Sequence, residues 1–347
     1  MECIFHKKII GVDLMKSFSK ELKSCIFMVL LLAFYVSSVF AQTVVPGDSL
    51  AAKLTWLQRN VDSHNIYIIE INSNENIDPQ RLEYRGAINI SITLRGNDDG
   101  PYTLRLRSHG SMFTISSDVT LILDNNIILH GHNGNNASLV TVNGGTLIMN
   151  EGVVITGNIK SAGGGGGVDI PSGLFTMNGG IISDNIAAAG GGGVCICGGT
   201  FTMNSGTISG NRATDGGGVQ VNDRTFNMVG GIISGNIATN RGGGVYMIDG
   251  RTSTIFTMRG GTITGNTAGG YGGGIFVTNN RYITFTKTGG TITGYNSDQE
   301  NGNVVMDDDG TIARRGHAVF VSVDRRKETT AEVNVNLSRD ADAGYDR

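Results

Sequence analysis

The chain is poor in the features that mark the commoner functional classes. Only 16% of its 347 residues are charged and the formal net charge is −3, which leaves no basic surface for nucleic acid. No apolar run is long enough to cross a membrane; the longest, residues 26–36, is about half of what a span needs. Tryptophan occurs once, at Trp56, and cysteine four times, counts that identify no ligand. Glycine is the exception. It fills 53 positions, roughly twice the usual share of about 7%, and it is periodic, so it marks turns rather than disorder.

The period belongs to a phrase that recurs five times: a Gly run, an apolar triplet, an aromatic-led segment, and Gly-x-Ile-x-Gly-Asn. The copies occupy residues 163–185, 190–211, 216–236, 242–266 and 272–296, with their aromatic at Phe175, Phe201, Phe226, Phe256 and Phe285. A repeat of 25 to 30 residues indicates a solenoid that grows one coil at a time, and hence one elongated domain. Residues 138–158 form a sixth copy and 112–131 a weaker seventh.

Alternation within each copy assigns the side chains. Val168/Ile170, Val194/Ile196, Val219/Val221, Val245/Met247 and Ile275/Val277 are spaced two apart, as one inner wall of half-buried strands requires. Phe175/Met177, Phe201/Met203, Phe226/Met228 and Phe256/Met258 form a second wall, fraying to Phe285/Lys287; Ile182, Ile208, Ile233, Ile263 and Ile292 form a third. Three short strands per turn predict an all-β, single-stranded parallel β-helix whose coils stack about 4.8 Å apart. An amphipathic segment over 50–62, with Leu50, Leu54, Leu57 and Val61 on one face, is expected to cap the open end.

The expected organisation is a signal peptide over 1–41, an N-terminal cap and irregular first coils over 42–137, regular coils over 138–296, and C-terminal coils with a cap over 297–347. Lys16, Lys20 and Lys23 precede the apolar run, and Val39-Phe40-Ala41 fits a cleavage site before Gln42. Residues 1–14 have the character of an upstream extension, because Met15 makes the more ordinary start. Cys25 lies before the apolar run, the wrong side for lipid attachment. Arg325, Arg326, Lys327 and Glu328 supply charge that discourages end-to-end pairing.

Candidate chemistry is sparse. The Gly runs lack the Lys and following helix of a phosphate cradle. Asn158, Asn185, Asn211, Asn236 and Asn266 recur at one turn, where stacked amides hydrogen-bond from coil to coil and Asn tolerates a left-handed backbone. Cys195 and Cys197 flank inward-facing Ile196 and are read as exposed, incidental thiols, with a strained disulfide or a metal site as alternatives. His130 and His132 share that spacing without a third ligand nearby, and Asp307, Asp308 and Asp309 read as a turn before a calcium site. No metal or other cofactor is expected.

The outward columns, such as Thr141, Asp169, Cys195, Gln220, Tyr246 and Phe276, place no acid beside a base. That argues against the carboxylate chemistry of polysaccharide lyases and hydrolases of pectate-lyase-like fold. Asp169, Asp184 and Asp215 are the residues best placed to reverse this, should they converge. Thr262/Thr264 and Thr291/Thr293 suggest a lattice-binding rank, but Ile181 and Ile232 interrupt it.

The pairing of "GGGV" with "ISGNxA" resembles the polymorphic outer-membrane protein repeat and the exported β-helix repeat proteins of spirochaetes, over residues 138–296. The resemblance implies a right-handed helix serving as a surface passenger in adhesion, and it supplies no catalytic residues. The passenger's membrane barrel has no counterpart before Arg347. Together these readings predict an exported, non-enzymatic, monomeric, adhesin-like or antigenic surface protein, extracellular or periplasmic, that presents a long face to a glycan or protein. An enzyme of pectate-lyase-like fold is the alternative.

Overall fold

The structure, a computed structural model, describes residues 42–347 except 249, 251, 279–281, 296–297, 308, 313–316, 323–333 and 338–347, with backbone alone for 334–337. The expected leader over 1–41, Cys25, Asp308 and the charged group 325–328 lie outside the described residues.

Strands alternating every second residue, interrupted at fixed intervals by glycine, wind into a β-solenoid of stacked coils. Each named strand pairs in parallel with its equivalent one coil away. The first wall aligns Val140, Val168, Val194, Val219, Val245, Ile275 and Val319. The second aligns Leu147, Phe175, Phe201, Phe226, Phe256 and Phe285. These five phenyl rings stack at centroid distances of 4.7, 5.0, 4.5 and 5.1 Å, the offset-stacked range for aromatic pairs. The third wall is a nine-stranded sheet carrying Ile155, Ile182, Ile208, Ile233, Ile263 and Ile292 inward.

A fourth wall, built of shorter strands, was not expected. After each Asn of the column a two- to five-residue strand runs back toward the Gly turn, in a six-stranded sheet. Five of its six strands bury one small side chain each: Ala187, Ala213, Ala238, Ala268 and Val305. Lys287, placed on the fraying end of the second wall, is 2% exposed in the column of methionines, and burial pushes its amine below the ordinary lysine range.

The helix spans Leu50–Asn60, with Ser49 accepting the amide of Ala52 at its N-cap. Leu50, Leu54 and Leu57 join the core of the first coil, and Val61 is the C-cap residue and only partly buried. Each Gly run makes a sharp corner against its neighbour. Gly191 has φ +65°, and a Cβ on Gly192 would sit 2.5 Å from the carbonyls of Arg212 and Gly217, so backbones meet there at a distance no side chain allows.

Candidate binding cleft and the turn-covered column

The Asn column is interior. Asn158, Asn185, Asn211, Asn236 and Asn266 are fully buried, with Asn135 and Asn303 extending the row at either end. Side-chain amides donate to the next coil's amide oxygen at 3.1, 3.0, 2.9 and 2.8 Å from Asn185 onward to Asn303. The same oxygens accept the preceding coil's Asn backbone N–H. The left-handed residue of this turn is not Asn itself but the one before it: Gly157, Asp184, Gly210, Gly235 or Gly265. Asp184 is therefore an exposed stand-in for glycine.

The three aspartates proposed to converge do not. Asp215 forms a bidentate pair with Arg241 at 3.0 and 2.9 Å, which raises the guanidinium further above its ordinary value. Asp169 lies against Lys160, 4.0 Å away. Within the outward columns no acid stands beside a base, but Asp169 and Asp215 meet Lys160 and Arg241 from the fourth strand of the coil, which those columns do not include. That strand and the Gly turn fold over the outward column of the first wall. Tyr246 and Phe276 are 2% and 3% exposed, beneath Arg241 at 4.9 and 5.5 Å from their ring centres, and Tyr271 packs on Phe276 and Phe320.

Cys195 is likewise covered, at 1% exposure, and is bonded to exposed Cys197 as a disulfide with a Cα separation of 5.9 Å. The expectation of two free exposed thiols is corrected because the turn at Gly164 closes over one of them. His130 reaches Arg105 at 3.0 Å, whereas His132 packs edge-on to His109, so the two histidines serve different neighbours. Asp307 and Asp309 shape a turn: Asp309 accepts from the Thr311 hydroxyl and amide, and the hydroxyl first, then the amide, hold its carboxyl below the usual range.

A cleft of about 450 Å³ opens on the first coils, where the seven-residue turn 83–89 leaves the regular repeat. Its walls come from four coils: Arg81 to Ile88, Ser116 to Asp118, Asn143 with Gly144, and Ser172. Gly144, at φ +90°, leaves room for Ser117, whose hydroxyl would be 2.5 Å from a Cβ there. Arg81 pairs with Glu83 across the rim. Two hydroxyls in this lining, Tyr84 Oη and Ser116 Oγ, are buried without a hydrogen-bond partner in the protein, their residues 6% and 7% exposed. Burial pushes the Tyr84 phenol well above its ordinary value, so it remains a donor at physiological pH. Alternation did not reveal this cleft, because its residues lie on corners between strands. The one available signal was the length of the 83–89 turn.

No family model matches the chain, and no curated protein or solved structure is found similar to it. No helix among the described residues is long and apolar enough to cross a membrane.

Proposed function

We propose that the protein is an exported, non-catalytic β-solenoid of the cell surface, adhesin-like, whose cleft on the first coils binds an acidic oligosaccharide. The observation that carries the reading is the polar lining of the cleft, in which Arg81, Arg85, Glu83, Asp118 and Asn143 meet at corners of successive coils. These side chains specify the ligand further. Arg81 and Arg85 are donors suited to carboxylate or sulfate oxygens, and Glu83, Asp118 and Asn143 accept from sugar hydroxyls. The resemblance to surface passengers agrees with this role.

A second reading, a polysaccharide lyase or hydrolase, is favoured by the meeting of Glu83 and Asp118 with two arginines in the cleft. Against it, Glu83 is ion-paired at the rim, and a phenol held protonated is a poor base. A glycan array with the purified chain is expected to show binding to uronate or sulfated polymers, weakened at least tenfold by Arg85→Ala and by Arg81→Ala. Absence of binding, or binding indifferent to both changes, would remove the cleft as the site; unsaturated or shortened sugars from the same polymers would establish the enzyme.

A further inference from the structure

The Cys195–Cys197 bond is not explained as a staple. A cross-link stabilises by restricting the unfolded chain, and the effect shrinks with the loop that it closes; here the sequence separation is two. The backbone is also held already, since Cys195 is in register with Asp169 on one side and Gln220 on the other. Both ladders hold Cys195, and the Cys197 amide donates to the Ile170 carbonyl, so the backbone is held without the ring.

The two sulfurs differ in access. Cys195 Sγ lies under Gly164, 3.2 Å from where a Cβ would be, and its residue is 1% exposed. Cys197 is exposed. An incoming thiolate can therefore reach only the Cys197 sulfur, which makes Cys195 the leaving group. Beside it stands Asp169, whose carboxylate lies within 4.8 Å of both sulfurs. One of its oxygens, Oδ1, is buried with no hydrogen-bond partner; the other is 4.0 Å from Lys160 Nζ. Lys160 is itself held by the Ser138 hydroxyl and the Gly164 carbonyl. The coil neighbours of Asp169 and Cys195 in this column, Thr141 and Gln220, carry no charge. Among the described residues, Lys160 is the cation facing Asp169. Burial raises the Asp169 carboxyl toward its protonated form, opposed by Lys160 and by the Ile170 amide.

We propose that Cys195–Cys197 is a reversible thiol–disulfide centre, opened by a small external thiol at Cys197, with Asp169 as the proton donor to Cys195. The thiolate RS⁻ attacks Cys197 Sγ, forming an RS–Sγ bond and breaking Sγ–Sγ. The electron pair leaves on Cys195 Sγ, which takes the proton of Asp169. A second thiolate then attacks the external sulfur of the mixed disulfide and releases Cys197. Two thiols are oxidised to RS–SR and supply the two electrons that reduce the protein to its dithiol; oxidised small disulfides drive the reverse.

The test uses the purified full chain, alkylated without reduction and peptide-mapped by mass spectrometry, then exposed to glutathione and to dithiothreitol. The expected result is a Cys195–Cys197 linkage in the air-oxidised protein that opens and re-forms in glutathione buffers. With Cys195→Ser, Cys197 should be glutathionylated within minutes, whereas with Cys197→Ser the buried Cys195 should stay unmodified for at least ten times as long. The reduction rate, divided by the thiolate fraction of the reductant, should fall as pH rises through the Asp169 titration. Asp169→Asn should lower that rate about tenfold at its acidic plateau and abolish the fall, with an unchanged circular dichroism spectrum. Free thiols in the oxidised protein, thiols held by zinc, equal modification of the two serine variants, or an Asp169→Asn profile matching wild type would each overturn the proposal.

Discussion

A single phenylalanine shows how much of the interior depends on stacking. Phe201 is fully buried between Phe175 and Phe226, so Phe201→Ala removes two ring contacts as well as its own burial and leaves a cavity. The expected loss is about 3 to 5 kcal/mol. Thr202, the next residue, points outward and is only partly covered; Thr202→Ala should change stability by under about 0.5 kcal/mol. Chemical denaturation of both variants checks this, and similar losses at the two positions would contradict the inward and outward assignment. Phe201 and its equivalents were legible from alternation alone, because a period of two is a direct record of which face is buried. The burial of Cys195 was not. The same alternation points it outward, and the turn at Gly164, contributed by the preceding coil, covers it.

Among elements, the Asn ladder carries the largest polar obligation. Asn211 accepts the backbone N–H of Asn185 and donates to the Ile182 carbonyl, so Asn211→Ala leaves two buried backbone groups unmatched at about 1 to 3 kcal/mol each. A second amide row, Asn150, Asn178 and Asn204, runs along the exposed second corner with contacts of 3.1 and 2.9 Å. Water can replace those partners, so Asn178→Ala should lose less than about 1 kcal/mol. Thermal melts of the two alanine variants are expected to differ accordingly, and equal shifts would place both rows in the same environment. Three of the four walls were visible in the repeat. The fourth was missed because a strand such as Ile186–Ala187 or Thr267–Ala268 buries a single methyl group, too little to leave a hydrophobic period. The Ala two positions after Asn185, Asn211, Asn236 and Asn266 was its only trace. The cleft left less still, since its lining comes from corners of four coils that share no motif.

The whole molecule is a stack in which each coil touches chiefly its neighbours, and such stacks lose or gain units without losing the fold. Removal of residues 212–236, one coil from Asn to Asn, should bring Asn211 onto Asn266 and keep every wall in register. The shortened chain is expected to fold, to be about 4.8 Å shorter along its axis by small-angle scattering, and to melt at a modestly lower temperature. A molten or aggregated product would mean that the coils are not interchangeable. The amide ladder adds a consequence for how such a chain varies. Its rungs are separated along the sequence by 23, 27, 26, 25, 30 and 37 residues, yet each engages its neighbour at hydrogen-bond distance. Position along the axis is therefore indexed by the amide rather than counted in residues. Insertions at the corners are invisible to that index, which makes the corners the place where a surface can diversify while its scaffold keeps the same address for every coil.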